Sequence, residues 1–276
     1  NLEILEKLFQ LDICDKYEKD GQTLYYASER GHTDIVEMLI HLGMKVNYNV
    51  NINGKSPLHY ASQNGHLATV MKLIQLGANI NMHDSRVVTP LVYVCKNGNV
   101  ECFEKLIESG ADIDIKFDSV RSLFYQTCFY GHVEILNRII ELGADIHSIN
   151  SDSQFPLHVV CANGHVEMAT RLVDLGADIN CMDKFDRTPL FYACENGHLE
   201  LMNELIQLGA NLCMIDDVKN TLLHETAANG QLEICQRLIY AGIDVNARNS
   251  RGKTAMHRAC QKGHIKIVLL LMDSGA

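Results

Sequence analysis

Thr188–Ala210 reads TPLFYACENGHLELMNELIQLGA. A Thr followed by Pro suits the start of a helix. The hydroxyl can cap free backbone N–H groups, and Pro at the first helical position gives up no hydrogen bond. Gly197 can take the left-handed conformation that ends a helix, so this helix is short. A second helix follows the Gly-His, with apolar residues at helical spacing; in the equivalent stretch upstream these are Val133, Leu136, Ile139 and Ile140. Gly209 ends that helix. Asp178-Ile179-Asn180, after the corresponding upstream glycine, opens a polar stretch rich in turn formers that runs to the next cap.

The same stretch recurs along the chain. The glycine before His or its variants stands at Gly31, Gly65, Gly98, Gly131, Gly164, Gly197, Gly230 and Gly263. The glycine of Leu-Gly-Ala stands at Gly43, Gly77, Gly110, Gly143, Gly176, Gly209, Gly242 and Gly275. Both ladders step once by 34 and then by 33. A third ladder lies nine residues ahead of the first: Ser56-Pro57-Leu58-His59, Thr89-Pro90-Leu91, Phe155-Pro156-Leu157-His158, Thr188-Pro189-Leu190, Thr221-Leu222-Leu223-His224 and Thr254-Ala255-Met256-His257. A fixed period of this length marks a stack of supersecondary units, none of which buries its apolar side alone.

Thr-Pro-Leu-His, Gly-His and Leu-Gly-Ala-Asp-Ile-Asn at this period resemble the ankyrin repeat over essentially the whole chain. The resemblance implies a mainly α fold, an ankyrin-repeat α-solenoid of paired antiparallel helices with β-hairpin fingers along one edge. One domain then spans 1–276. It opens with the second helix of a truncated repeat at 1–16, carried by Leu2, Ile4, Leu5, Leu8 and Phe9. Eight repeats follow, at 17–50, 51–83, 84–116, 117–149, 150–182, 183–215, 216–248 and 249–276, the last incomplete.

Some repeats depart from the pattern. The first lacks the Pro and is one residue short between Thr23 and Gly31, and the finger that follows, Gly43 to Gly54, is one residue longer than its counterparts. The fourth has Ser122-Leu123-Phe124-Tyr125 for Thr-Pro-Leu-His. Near the end, Leu269 and Leu270 stand where other repeats have Glu104-Lys105, Asn137-Arg138 or Gln236-Arg237. Terminal repeats carry a polar outer face, so these leucines lead to the expectation of further repeats in the parent chain.

The 276 residues carry a net charge of −10, which disfavours bulk binding to nucleic acid or to anionic membrane surfaces. No apolar run approaches a membrane span. Ten cysteines without a Cys-x-x-Cys pair fit a reducing compartment, so the expected location is the cytoplasm, with the nucleus also open.

The residues that invite a chemical reading have structural readings that outweigh it. Cys95, Cys128, Cys161, Cys194 and Cys260 share one position in the first helix, where Cys serves as a small apolar residue at a tight contact. The ladder histidines suit hydrogen bonds to backbone across turns. Gly54-Lys55-Ser56 and Gly252-Lys253-Thr254 end like phosphate loops but lack the earlier glycine. No catalytic residue, cofactor site or metal site is assigned. The resemblance also places Asn47, Asn81, Asn180 and Asn246 where some ankyrin repeats are hydroxylated, although turn chemistry accounts for Asn there.

What remains is a surface for a protein partner. In ankyrin repeats the fingers and first helices form a concave side that carries ligand contacts. Most repeats place polar residues before the turn glycine, such as Gln63-Asn64 and Glu195-Asn196, whereas the fourth places Phe129-Tyr130 there. Aromatic residues and Arg dominate binding hot spots. The candidate contacts are therefore Arg86, Lys96, Phe117, Arg121, Phe129, Tyr130, Phe155, Phe185 and Arg187, in repeats three to six. The competing reading has the fourth repeat's aromatics filling space left by its lost Thr-Pro-Leu-His. Three functions stay open: a protein-binding scaffold, a substrate-recruiting segment of a larger kinase, ubiquitin ligase or transferase, and the cytosolic part of a channel. The partner and the oligomeric state are not legible in the sequence.

Overall fold

A computed structural model describes residues 22–48, 53–113 and 122–276. The expected truncated helix at 1–16 and the candidates Phe117 and Arg121 lie outside the described residues. The chain forms two compact bodies whose boundary falls between Ile135 and Leu136. The described residues of the first body hold α1 (Gln22–Glu29), α2 (Thr33–His41), α3 (Pro57–Gln63), α4 (Leu67–Gln75), α5 (Pro90–Asn97), α6 (Val100–Glu108), α7 (Leu123–Tyr130) and the start of α8 (Val133–Glu141). The second body holds the rest of α8, then α9 (Pro156–Asn163), α10 (Val166–Asp174), α11 (Pro189–Glu195), α12 (Leu199–Gln207), α13 (Leu222–Asn229), α14 (Leu232–Tyr240), α15 (Ala255–Lys262) and α16 (Ile265–Asp273).

Each body is built of stacked helix pairs. In the first, α1, α3, α5 and α7 pack side by side, as do α2, α4 and α6. In the second, α9, α11, α13 and α15 form such a row, α10 packs on α12, and α14 on α16. The helices are too short to be stable alone in water, so packing must hold them. Leu58, Leu73, Phe103 and Leu106 are fully buried in the first body, and Leu172, Phe191, Met202 and Leu205 in the second. Each such side chain contributes roughly 1.5–3 kcal/mol.

Histidines connect one pair to the next. In His59, Nδ1 accepts the Ser56 backbone N–H at 3.0 Å, and Nε2 reaches the Val88 carbonyl 3.0 Å away in the following finger. A ring that accepts at Nδ1 and donates at Nε2 is neutral. His158 and His224 make the same two contacts, ending on the carbonyls of Arg187 and Lys253. Burial above all pushes His59 down from 6.5 to about 4 and lowers His158 and His224 as well.

The Gly-His pair is a second interlock. His132 Nε2 reaches the Lys96 carbonyl at 3.1 Å, and His198 reaches that of Ala162. The ring then lies over the turn glycine of the preceding pair. A Cβ on Gly98 would stand 2.4 Å from His132, and one on Gly164 would stand 2.6 Å from His198. Both glycines also have positive φ, 77° and 78°. They are needed twice over, for the turn and for the neighbour's ring.

The fingers hold together by turns. Asp84 Oδ1 accepts the backbone N–H groups of Arg86 and Val88, and Asn150, Asp183, Asp216 and Asn249 repeat this pattern. The resemblance implied β-hairpins. Among the described residues one isolated bridge, Ile215 to Thr221, is the nearest thing to a ladder. Neighbouring fingers among the described residues share one backbone hydrogen bond, as from Ser85 N–H to the Asn53 carbonyl, and side chains add to it in places, as where Asn249 Nδ2 donates to Asn220 Oδ1. Asn side chains add further ties: Asn81 Nδ2 donates to the Gly110 carbonyl, and its Oδ1 accepts the Asp112 N–H.

Candidate partner-binding face

The first helix of each pair and the finger before it present polar and aromatic side chains together. In the first body the centre of this side is Tyr93, on α5. Its hydroxyl donates to Asp84 Oδ2 at 2.7 Å and accepts from Arg86 Nη2 at 2.9 Å. Burial and the Asp84 hydrogen bond push the phenol up to about 12, so it stays protonated. The Asp84 side chain is fully buried and its oxygens are already engaged by Tyr93 and backbone N–H groups.

Two lysines share the Tyr93 ring. Lys55 Nζ lies 4.2 Å from its centroid and 5.2 Å from that of Tyr60. Lys96 Nζ lies 5.5 Å from Tyr93 and 6.0 Å from Tyr130. A ring face attracts a cation by about 0.5–2 kcal/mol, more as water is excluded. Lys55 also donates to Gln63 Oε1 at 2.5 Å. Among the described residues neither lysine has a carboxylate at ion-pairing distance. Both ammonium groups are lowered, by burial first and then by the charge of Arg86; Lys96 lowers Lys55 further, while Asp84 and the more distant Glu29 act in the opposite direction.

The fourth repeat borders this cluster. Leu123, Phe124 and Tyr125 are buried at the positions that Pro, Leu and His hold in other repeats, and Ser122 Oγ caps α7 by accepting the Tyr125 N–H. Phe129 and Tyr130 are 49% and 40% exposed, with rings edge to face at 5.1 Å. Repacking therefore accounts for Phe124 and Tyr125 and leaves Phe129 and Tyr130 at the surface.

The second body carries the remaining candidates in a different electrostatic setting. Phe185 is exposed and Phe155 half-buried against His158. Arg187 pairs with Glu195 at 3.2 Å, and Arg258 with Glu225 at 3.4 Å. Tyr192 donates to Asp183 at 2.6 Å and accepts from Gln154. Here Arg187 and Arg258 have carboxylate partners, as Arg86 has Asp84 in the first body, while Lys253 Nζ donates to Gln261 Oε1 at 3.4 Å.

Of the predicted contacts, Arg86, Lys96, Phe129 and Tyr130 thus belong to the first body, and Phe155, Phe185 and Arg187 to the second. The sequence reading missed Lys55, Asp84 and Tyr93. Lys55 stands in Gly54-Lys55-Ser56, a segment that ends like a phosphate loop. Its spacing of 8 from Gln63, shared by Arg187 with Glu195 and Lys253 with Gln261, was the available signal.

The buried thiols on this side are held protonated. Cys95 and Cys181 are pushed up to about 12 by burial, and Cys128, Cys161 and Cys194 are raised as well. Cys260 differs from its ladder in being exposed. Among the described residues no group of three or more His, Cys, Asp or Glu side chains is arranged to hold a metal ion.

A family profile described as ankyrin repeats (3 copies) matches residues 1–84, 24–117, 123–216 and 208–276. The chain is an ankyrin-repeat protein. A search of curated proteins finds no match to it. Ankyrin repeats generally mediate protein–protein interaction and are typically non-catalytic. No helix among the described residues is long and apolar enough to cross a membrane.

Proposed function

We propose that this ankyrin-repeat chain is a non-catalytic scaffold that holds a partner protein on its finger and first-helix side. The observation that carries the reading is the exposed pair Phe129 and Tyr130 beside Lys96. Exposed aromatics next to a cation are the residue types on which interface energy concentrates. Arg86 extends the same contact in the first body, and Phe155, Phe185 and Arg187 offer contacts in the second. Catalysis has no support on this side, where Tyr93, Tyr192 and the buried thiols are held protonated. The cytoplasm or the nucleus suits the reading, since none of the described cysteines is in a disulfide.

Affinity capture from cell lysate tests it. The immobilised chain is compared with a Phe129→Ala, Tyr130→Ala variant whose helix content is checked by circular dichroism. A specific set of proteins retained by the first and lost from the folded variant is the expected result. Equal retention by both would place the contact elsewhere, and retention by neither would remove the scaffold reading.

A further inference from the structure

We propose that the finger tips of the second body form a docking strip for an extended segment of a partner protein, in which apolar side chains lead into acidic ones. The proposal rests on the scaffold reading and names the chemistry of the partner.

The finger turns put apolar side chains outward at matching positions. Ile149, Met182 and Ile215 each precede the turn residue of their finger, and all three are exposed. Phe185 and Val218, two residues past the turn residue, are exposed as well. Backbone bonds join these tips. Lys184 N–H donates to the Asp152 carbonyl at 3.4 Å, Asp217 N–H to that of Phe185 at 3.0 Å, and Ser250 N–H to that of Val218 at 2.9 Å. The tips therefore lie side by side, and their apolar groups run from one finger to the next. Exposed apolar surface that is contiguous, rather than scattered singly, marks a contact.

Charge says what the segment carries. At the same two positions the following finger has Arg248 and Arg251, and this finger holds no carboxylate from Ala247 to Thr254. Both arginines are exposed, and neither has a carboxylate at ion-pairing distance among the described residues. Arg248 Nη1 donates to the Gly252 carbonyl of its own finger. The fingers that bear the apolar groups are balanced instead. Lys184 and Arg187 lie 5.0 and 5.9 Å from the Phe185 centroid, and they are paired with Asp152 and Glu195. An acidic side chain that meets Arg248 or Arg251 gains an ion pair without breaking one.

A single extended chain suits the strip. Packed helices stand roughly 8–10 Å apart, which sets the pitch of the fingers they carry. Extended polypeptide advances about 3.3 Å per residue, so every third residue reaches a new finger. An anionic membrane would also have to cover the exposed Asp186 and Asp217 on the apolar fingers, and a phosphate backbone offers nothing apolar to Ile149, Met182 and Ile215.

Fluorescence anisotropy of the full chain with the fluorescein-labelled peptide Leu-Ser-Ser-Leu-Ser-Ser-Leu-Ser-Glu-Glu tests the proposal. Its Gln-Gln counterpart, a labelled single-stranded oligonucleotide and equimolar phosphatidylserine–phosphatidylcholine vesicles serve as comparisons. The chain is expected to bind the Glu-Glu peptide and to lose affinity as salt rises. An Arg248→Gln, Arg251→Gln variant should bind it more weakly by on the order of tenfold. A Met182→Ser, Ile215→Ser variant keeps both arginines and should weaken binding as well. All four side chains are exposed, so circular dichroism is expected to show both variants folded. Absence of binding, equal binding of the Gln-Gln peptide, tighter binding of the oligonucleotide or the vesicles, or an unchanged affinity in either folded variant would each overturn the proposal. Proteins retained from lysate equally well by both variants would end this inference and leave the scaffold reading standing; loss of all capture by the unmodified chain would end both.

Discussion

At the scale of single residues, the fingers contain a strain that the repeat spacing hides. Val87, Ser153, Asp186 and Lys219 have φ near +60°, at the position where Gly54 and Gly252 stand in other fingers. A β-branched residue suits that conformation least. Val87 is 41% exposed, so little packing is lost if it is shortened. Val87→Gly should raise stability by about 0.5–1 kcal/mol, as the relief of strain exceeds the added chain entropy. A higher urea midpoint would show this, and an equal or lower one would contradict it. Histidine gives a second expectation. His59 is neutral in the fold, with its pKa lowered from 6.5 to about 4. The unfolded chain takes up the proton first as pH falls, so stability is full above 6.5 and declines from there toward 4. The loss is on the order of 3 kcal/mol for this one ring, and His158 and His224 act in the same direction. The drop in urea midpoint between neutral pH and about pH 4.5 should be smaller in His59→Gln than in the unmodified chain. The structural role of these rings was legible in their recurrence; that Nε2 reaches across to the next finger was not, because sequence spacing does not give ring orientation.

At the scale of elements, α7 shows how a helix survives the loss of the repeated start motif. It has neither the Pro nor the His, and Ser122 supplies the cap alone, at 3.3 Å from the Tyr125 nitrogen. Ser122→Ala should therefore destabilise the first body by about 1 kcal/mol. Thr188→Ala should act comparably only if its hydroxyl caps α11, and no side-chain cap bond forms there. Chemical denaturation of the two variants separates the cases. The helix pairs themselves were readable from the glycine ladders, since a turn glycine and an apolar period leave little freedom. Which of the four aromatics in α7 would be buried was not. Phe124 and Tyr125 turn inward and Phe129 and Tyr130 outward, a choice made by the packing of α5 against α7. The Tyr93 cluster escaped for a similar reason: Lys55, Asp84 and Lys96 belong to different elements and meet only once those elements stack.

At the scale of the whole molecule, no helix pair is stable by itself, and within each body every pair leans on its neighbour through its apolar faces, its histidines and its Asn ties. That mutual support leaves the finger side free to carry polar and aromatic groups for a partner. Gly164 tests the dependence most directly, because its turn receives the ring of His198 from the following pair. Gly164→Ala should impose left-handed strain and displace that ring, costing about 2 kcal/mol or more. Amide hydrogen exchange across the variant is the decisive measurement. Protection is expected to fall in both α9–α10 and α11–α12. A loss confined to α9 and α10, with α11 and α12 unchanged, would contradict the claim that the repeats hold one another.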